Sequence, residues 1–384
     1  MSGDELSRLE AQMSLDEAQM SRRQLLERGA VGAVALGVSG GLLGSLGAGV
    51  ARGAAAGTAT PQQAARALEI VINSGGIDTS PIYAGIERGF YRRHGLDMKP
   101  QIVTTGGPGL VAALASGQAK VAPIGTAATY PAIANGIPLK IIGIVHGTSV
   151  RRFYSTNYIV AGPRAGVGRG EVAKLRGKRI GVPLGTDGES GLLASLAAAD
   201  IERGDVRLVN VRPPDLAIAL ETGAVDAVSF VEPWPSVVLE RVAGSVRVSG
   251  PAPLYGPGIF VSTEQTIRSN RALLVNFLAG SAQSQQWARR NLNKGLINVI
   301  QRTSGVAPAV SRRGINFVRF DGRMSKLALN RLAYLTIPTL ISLGILSKGL
   351  DARTAVDSSL NKEVQRKYPQ YFSDLPKIPK KYQL

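Results

Sequence analysis

The chain has 384 residues, a formal net charge of +18 and 44% hydrophobic residues, which is enough apolar material for two domains or lobes. It contains no cysteine and only two histidines, which excludes disulfides, thiolate metal sites, a cysteine nucleophile and a histidine-rich metal centre. Aromatic residues make up 5% of the chain and the basic residues are scattered, so the charge does not indicate nucleic-acid binding. With no Walker loop, HExxH or CxxC motif, the sequence predicts no metal, cofactor or catalytic residue.

Residues 1–60 are predicted to be an export signal and linker. Arg22 and Arg23 precede an uncharged stretch from residue 30 to residue 50, in which seven of the 21 residues are Gly. Because Gly adds no apolar side chain and weakens helices, the stretch is a poor membrane anchor and is typical of a cleaved targeting peptide. Residues 21–26, SRRQLL, resemble the twin-arginine export signal. We therefore expect a cleaved signal and a mature chain in the periplasm.

Two stretches 106 residues apart are predicted to form the same helix–Gly–strand unit. They are LVAALASGQAKVAPIGT at 110–126 and LAIALETGAVDAVSFVE at 216–232. Apolar residues at i and i+4 followed by Gly indicate a capped helix, and the apolar run after the Gly indicates a strand. Thr126 and Glu232 occupy matching strand ends. The repeat predicts two lobes that are built alike.

A further β-rich run precedes each unit, ALEIVINSG at 67–75 and GKRIGVPLG at 177–185. Alternating strands and helices predict an α/β fold in which each lobe is a mostly parallel sheet flanked by helices. A ligand cleft then lies between the lobes, beyond the carboxyl ends of the strands. We expect the first part of lobe I at 66–161, lobe II at 162–253, and the lobe I return with C-terminal helices at 254–384. The crossings should lie near 157–168 and 252–262, and the last ten residues should form a loose tail.

Four segments carry a resemblance to a known family: GFYRRHGLDMKP, GPGLVAALASGQAKVAPIGT, LRGKRIGVP and PPDLAIALETGAVDAVSFVEPW. They resemble the nitrate/sulfonate/taurine-type substrate-binding proteins of ABC transporters, which are type II periplasmic binding proteins related to thiamine-pyrimidine-precursor binding proteins. The resemblance implies a monomer that captures a small organic, sulfonate- or carboxylate-like molecule by hinge closure and delivers it to an ABC permease. The chain departs from the family at Lys120, where many members are acidic, whereas the second copy keeps Asp226.

Two alternatives to this function stay open at the level of sequence. An enzyme on the same fold, related to the pyrimidine-precursor synthases, would depend on the cysteine-rich motif and lysine-bound cofactor of that lineage, and this chain has no cysteine. A sensor-associated protein that delivers its ligand to a receptor rather than a permease cannot be separated by sequence.

The first candidate ligand-binding residues are at helix starts. Helix N-termini offer unpaired N–H groups and favour anionic or carbonyl oxygens. Four helices should begin at the cleft, at Ser80, after Thr105 and Gly106, at Thr126 and after Thr186. Each hydroxyl could bond the ligand or cap its own helix.

The remaining candidates are side chains beside these loops. Tyr83 could stack on a ligand or cover the sheet. Glu189 lies beside the ligand loop and could accept a ligand hydrogen bond or serve the first helical turn. Glu232 is expected to bind ligand, and Trp234 to line the pocket or pack between the lobes. His146 could border the cleft or be structural.

The export prediction has a direct test. Arg22→Lys together with Arg23→Lys should leave the chain uncleaved in the cytoplasm, because that export route requires the arginine pair. Arg28→Lys, which keeps the pair, is the matched control, and cell fractionation with immunoblotting is the measurement. Normal export of the double variant would contradict the twin-arginine assignment.

Overall fold

The computed structural model describes residues 66–73, 76–147, 156–252 and 256–384; the predicted signal and linker lie outside them. The strands in these ranges are β1 Arg66–Asn73, β2 Leu96–Val103, β3 Ala122–Ile124, β4 Leu139–His146, β5 Asn157–Ala161, β6 Arg179–Val182, β7 Arg207–Asn210, β8 Ala227–Val231, β9 Val246–Arg247 and β10 Gly258–Thr263. The α-helices in these ranges are α1 Ser80–Glu87, α2 Phe90–Arg93, α3 Gly106–Ala115, α4 Thr126–Ala134, α5 Asp187–Ala197, α6 Leu216–Thr222, α7 Trp234–Arg241, α8 Glu264–Arg290, α9 Ile297–Ser304, α10 Pro308–Gly314, α11 Lys326–Arg331, α12 Ile337–Ser342 and α13 Ser359–Lys367.

The sheet of lobe I has the order β2–β1–β3–β10–β4. Strands β1 and β2 are parallel, and a single parallel bridge between Ile70 and Val121 joins β1 to the β3 side. Strand β10 lies between β3 and β4 and is antiparallel to both. Ile70 and Ile72 face a core with helix α8, whereas Val71 faces a second core with α3 and α4. Lobe I is therefore covered on both faces, as the alternation of side chains along a strand requires.

The sheet of lobe II has the order β7–β6–β8–β5–β9. Strands β7, β6 and β8 are parallel, and β5 is antiparallel to β8 and β9. Ile159 and Ala161 pack against Leu192 of α5, whereas Val160 packs on the opposite face with Leu220 of α6. In each lobe one strand, β10 or β5, runs against the other four, so the predicted fold of mostly parallel sheets is confirmed.

Strand β5 corrects one predicted boundary. Residues 157–161 were expected to start the crossing and to close the first part of lobe I at residue 161. They are instead a buried strand paired with β8, which already belongs to lobe II. The first crossing thus lies between His146 and Asn157, and the second lies before Gly258. Both reversed strands are the first strand after a crossing.

The predicted internal repeat is present in the backbone. Helix α3 ends before Gly117 and helix α6 before Gly223, and both glycines have φ of +78°. Matching hydrogen bonds close the two turns, from Ala119 N to the Ala113 carbonyl at 3.1 Å and from Val225 N to the Ala219 carbonyl at 3.2 Å. A left-handed C-terminal cap is the conformation for which Gly has no steric cost.

The last residues were predicted to be a loose tail, and the structure corrects this. Arg323 donates to the Pro376 carbonyl at 2.8 Å, and Leu375 and Leu384 pack on the lobe I cores. In the part of the chain that the structure describes, no helix has the length and apolar character needed to span a membrane.

Lys120, where the chain departs from the family pattern, belongs to an ion pair that is reversed in the other lobe. Lys120 N donates to the Glu69 carbonyl at 3.0 Å, and Asp226 N donates to the Arg179 carbonyl at 2.8 Å, so the two pairs occupy equivalent places. Lys120 Nζ contacts the Glu69 carboxylate, and Arg179 Nη2 lies 2.8 Å from Asp226 Oδ1. These contacts lower the pKa of Glu69 and of Asp226, in each case mainly through the side-chain hydrogen bond of the basic partner. The positions of the acid and the base are exchanged, but the two pairs join equivalent strands: β1 with the residues before β3 in lobe I, and β6 with the residue before β8 in lobe II.

A charge-swap cycle tests this equivalence. Lys120→Asp should lower the free energy of unfolding by about 1 kcal/mol, because the pair is lost and two carboxylates are brought together. Adding Glu69→Arg should recover most of that loss, because the pair then matches the arrangement in lobe II. Urea unfolding at low salt is the measurement, and Glu69→Arg alone is the control. If each single variant lowered the free energy of unfolding and the double variant lowered it by the sum of the two losses, the pairing would be contradicted.

Candidate functional site

The two lobes touch where helix N-termini meet. A Cβ on Gly106 would lie 3.2 Å from Thr186 Cγ2, and one on Gly185 would lie 2.9 Å from Pro108 Cγ. Both glycines have positive φ, +72° and +71°. They let the loop before α3 in lobe I approach the loop before α5 in lobe II. Thr105 is the exposed residue before α3 and makes no side-chain cap.

A carboxylate of lobe II occupies a helix N-terminus of lobe I. Asp187 Oδ1 accepts a hydrogen bond from Ala127 N at 2.9 Å and lies 3.5 Å from Thr126 Oγ1. Thr126 is fully buried at the start of α4. The place predicted for a ligand oxygen is therefore filled by the protein itself in this closed arrangement.

The surroundings of Asp187 are acidic. Burial raises the pKa of Asp187 to about 6, hydrogen bonds from Ala127 and Thr126 oppose the shift, and the Asp78 charge adds to it. His146, at the end of β4, has its Nε2 3.8 Å from Asp78 Oδ2. Burial lowers the pKa of His146, and the charge of Asp78 opposes this shift.

The two predicted residues of α1 lie beside this acidic group. Ser80 is fully buried and donates to the Ile77 carbonyl at 2.6 Å, so its hydroxyl serves its own turn. Tyr83 is partly buried between two cores, and burial followed by the Asp78 charge raises the pKa of its phenol.

The candidates on helix α5 make contacts within lobe II. Thr186 Oγ1 accepts from Gly188 N at 3.1 Å and donates to the Pro183 carbonyl at 2.7 Å, which is a helix cap. Glu189 accepts from Gly185 N at 2.7 Å and pairs with Arg203. Both side chains thus hold the loop before α5 in place through contacts within lobe II.

Glu232 needs a correction, because its carboxylate is satisfied inside lobe II. Its side chain is fully buried, with Arg247 Nη2 2.8 Å from Oε1 and Ser236 N 3.3 Å from Oε2. The Arg247 guanidinium also lies 4.0 Å over the Tyr158 ring. Glu232 does reach the other lobe, since a Cβ on Gly314 of α10 would lie 3.3 Å from its Cβ. The structure thus supports a structural role at the lobe interface rather than the predicted contact with ligand.

Trp234 lines a groove rather than the acidic centre. The groove, of about 490 Å³, lies between α7 of lobe II and α9 and α10 of lobe I. Val237, Val306 and Val310 form its apolar wall, and Glu240 stands at its edge and pairs with Arg313 across the lobes. Both outcomes foreseen for Trp234, pocket lining and packing between lobes, are compatible with this position.

Sequence reasoning missed Asp78, Arg247 and the contact of Asp187 with the other lobe. Acidic residues are common in the first turn of a helix, and nothing in the sequence shows which of them contacts a distant residue. Within the described residues, no group of three or more His, Asp or Glu side chains is arranged to hold a metal ion.

The Glu232 contacts lead to a stability prediction. Glu232→Gln should lower the free energy of unfolding by about 1–3 kcal/mol, because Arg247 loses a charged partner in a buried position. Glu221→Gln is the control: Glu221 pairs with Arg241 at the surface, with both side chains about half exposed, and the change should stay within about 0.5 kcal/mol. Chemical denaturation is the measurement. Equal free energies of unfolding for Glu232→Gln and wild type would show that the Glu232–Arg247 pair does not stabilise the fold.

The Asp187 pKa leads to a pH prediction. A raised pKa means that the protonated form is favoured in the folded, closed protein, so this contribution is complete below about pH 4 and is lost as pH rises through about 6. Asp187→Asn does not titrate and keeps an acceptor for Ala127 N. Relative to this variant, wild type should lose at most about 3 kcal/mol between pH 4 and pH 7. Asp97→Asn is the control. If the difference in free energy of unfolding between wild type and Asp187→Asn did not change with pH, the buried position of Asp187 would be contradicted.

Comparison with known proteins places these features in a family. The family model described as NMT1/THI5 like matches residues 77–292. A Brucella abortus (strain 2308) protein named as a binding protein is 27% identical over 210 residues, which cover 53% of this chain and 61% of that protein. A Bacillus subtilis (strain 168) protein named as an aliphatic sulfonates-binding protein is 25% identical over 220 residues, covering 56% and 64%. The matched region thus spans less than two thirds of these curated relatives.

Solved structures share the fold. The alkanesulfonate-binding protein SsuA from Xanthomonas axonopodis pv. citri superposes with a TM-score of 0.65 at 20% identity, covering 76% of this chain and 98% of that one. The periplasmic nitrate-binding protein NrtA from Synechocystis PCC 6803 gives 0.65 at 15% identity, covering 82% and 90%. The desulfurization enzyme DSZB gives 0.57 at 15% identity, covering 78% and 99%. With its family match over more than half of the sequence and its two-lobed fold, this chain belongs to the NMT1/THI5-like family of periplasmic-binding-protein architecture.

Proposed function

We propose that the protein is the solute-binding component of an ABC importer and captures a small organic molecule between its lobes. The observation that carries this is the meeting of helix N-termini from two lobes, α3 and α4 on one side and α5 on the other. Such termini bind anionic or carbonyl oxygens without further machinery. Two relatives in the comparison, from different bacteria, are named as binding proteins.

The mechanism we propose is hinge closure. The chain passes between the lobes twice, between His146 and Asn157 and before Gly258, and two such connections permit one lobe to rotate against the other. A solute that contacts both lobes only in the closed form shifts the equilibrium toward that form by its differential affinity. A sulfonate- or carboxylate-like solute remains a prediction from the family resemblance. The N-terminus of α4 could receive such a group only after Asp187 withdraws from it.

An enzymatic role has less support. One structural neighbour is an enzyme, the desulfurization enzyme DSZB, so the fold alone does not decide the matter. The two curated relatives compared above are named as binding proteins, and His146 Nε2 lies 3.8 Å from the Asp78 carboxylate. We favour binding without chemistry.

Place and partner complete the proposal. Export through the twin-arginine pathway to the periplasm would follow from residues 21–26, and an inner-membrane permease would receive the closed form. A receptor that reads the same closed form is the second possibility. We expect a monomer, because one chain supplies both lobes of the cleft.

The proposal is tested with the processed chain and a panel of alkanesulfonates, carboxylates, nitrate, amines and pyrimidines. A bound solute at a hundred times its Kd should add about 2.7 kcal/mol to stability. Small-angle scattering should then show a more compact particle whose profile fits the closed structure. A panel in which no compound raises the melting temperature or changes the radius of gyration would contradict the proposal.

A matched pair of variants isolates closure from stability. Gly106→Val places a side chain against Thr186 of the other lobe, whereas Gly136→Val puts the same side chain at a similar positive φ, +88°, with nothing within 4 Å of the new Cβ. Both variants carry similar backbone strain. Only Gly106→Val should lose compaction by solute, and equal behaviour of the two would argue against closure at this contact.

A further inference from the structure

The excess positive charge of the protein is concentrated in lobe I. Lobe II, residues 157–252, has 11 Lys and Arg against 11 Asp and Glu, so its net charge is zero. Lobe I, residues 66–147 and 258–384, has 27 Lys and Arg against 10 Asp and Glu, which is a net charge of +17. Of these, 20 basic and 6 acidic residues lie in 258–384. Because one lobe is neutral and the other strongly basic, an anionic surface attracts the molecule by lobe I.

Six exposed cations in the last part of lobe I form no ion pair with an acidic residue that the structure describes. They make up the basic face: Lys326, Lys362, Arg366, Lys377, Lys380 and Lys381. Three neighbouring acids are already paired with other cations: Asp321 with Arg323, Glu363 with Arg271 and Asp374 with Arg289. The positive charge of the basic face is therefore not neutralised by the nearby carboxylates.

Contacts within lobe I hold the C-terminal lysines in place. Arg323 Nη1 donates to the Pro376 carbonyl at 2.8 Å, and Leu384 packs on a lobe I core. The turn of residues 380–382 contacts helix α11, which begins at Lys326. Lysines from both ends of this contact thus lie on one fixed surface.

Helix α13 adds the other two cations of the basic face. Gln365 Nε2 donates to the Met324 carbonyl at 3.1 Å, which places α13 beside the start of α11. Lys362 and Arg366 lie one turn apart on α13 and are both exposed. The six charges thus belong to neighbouring elements and form one patch.

The composition of the basic face favours a lipid surface over a protein partner. Five of its six cations are Lys, a hydrated point charge, whereas Arg is the residue that pairs bidentately with carboxylates. Protein interfaces depend on apolar and aromatic anchors. In the described ranges the exposed large hydrophobic side chains are Ile102 and Ile218, which lie on β2 and α6. Tyr382 is half-buried at the face, with Lys381 Nζ 4.9 Å from its ring centre, and Tyr is enriched where proteins meet lipid headgroups.

We propose that the basic face of lobe I binds the surface of an anionic phospholipid membrane. Each Lys near such a surface strengthens binding by about fivefold, because it is attracted by the negative headgroups. This attraction decays over about 8 Å at physiological ionic strength, so the basic face must lie against the membrane. The inference goes beyond solute binding and does not depend on it. In the proposed function, such binding would hold the protein on the membrane that carries its permease.

The first test measures binding to vesicles. The processed chain, without solute, is sedimented with vesicles of phosphatidylglycerol and phosphatidylcholine in equal parts, or of phosphatidylcholine alone. At low salt the partition coefficient should be at least about tenfold higher for the anionic vesicles. Salt at about 1 M should release the protein, because it shortens the range of the attraction to about 3 Å.

Variants of equal net charge then locate the binding surface. The face variant combines Lys326→Gln, Lys377→Gln, Lys380→Gln and Lys381→Gln, and its partition coefficient should fall at least about tenfold. The matched control removes four exposed cations from lobe II, by Arg169→Gln, Lys174→Gln, Arg207→Gln and Arg212→Gln. The control should bind almost as well as wild type, because charges beyond the screening length contribute little. Replacing the four lysines of the face variant by Arg instead of Gln keeps their charge and should keep binding.

The outcomes decide the inference separately from the proposed function. Equal loss in the face variant and the lobe II control would show that only total charge matters, and would overturn the proposed surface. Equal binding to anionic and neutral vesicles would also overturn it. So would failure to bind anionic vesicles at low salt, which is the result expected if the basic face is only solvated or docks on an acidic protein. Solute binding is measured without vesicles, so none of these results bears on it.

Discussion

The contact on which the closed structure depends is the hydrogen bond from Ala127 N to Asp187 Oδ1, 2.9 Å long. It satisfies an N–H group at the start of α4 with a carboxylate that belongs to the other lobe. Helix N-termini carry unpaired donors and a partial positive charge, so they must be matched by a side chain, a ligand or water. Here the chain supplies its own acceptor. Any solute must act with this carboxylate or displace it.

This constraint explains the distribution of charge around the cleft. Three carboxylates away from the centre have partners within their own lobe: Glu189 with Arg203, Glu232 with Arg247, and Asp226 with Arg179. Asp78 and Asp187 are different, because each lies on one lobe and faces the gap. In the closure that we propose, the two carboxylates come closer together, so the energy of closure depends on pH and on what lies between them. The proposed solute-binding function requires such dependence, because a cleft that closed equally well without solute would not distinguish the bound from the empty protein.

The fold was largely predictable from sequence, because its signals are local. The two helix–Gly–strand units could be recognised at a spacing of 106 residues, since Gly117 and Gly223 fill the same left-handed position. Strand β5 was missed because nothing within residues 157–161 shows which sheet they join; their partner β8 begins at Ala227. Apolar runs predict strands, but their pairing depends on contacts that are distant in sequence.

The site was only partly predictable for the same reason. Thr105, Gly106, Thr126 and Thr186 were correctly placed at helix starts, which follow from turn and capping chemistry. The partner of Glu232 is Arg247, 15 residues away beyond a whole helix, and that distance gives no pattern. In the sequence Asp187 resembles any acidic residue in a first helical turn, and only the structure shows its contact with the start of α4. Pairing between elements therefore decided which polar side chains face the cleft and which are used by the fold.

The central claim, that Asp187 holds the lobes together through the start of α4, is tested most directly by a distance measurement across the lobes. The chain has no cysteine, so spin labels can be attached at Ala115→Cys on α3 and Ala198→Cys after α5, both exposed. Pulsed dipolar spectroscopy at pH 5, without solute, should give one short, narrow distance population in the otherwise wild-type chain. In Asp187→Ala a longer and broader population should replace it, and in Asp97→Ala the short one should remain. The same distribution in all three proteins would contradict the account.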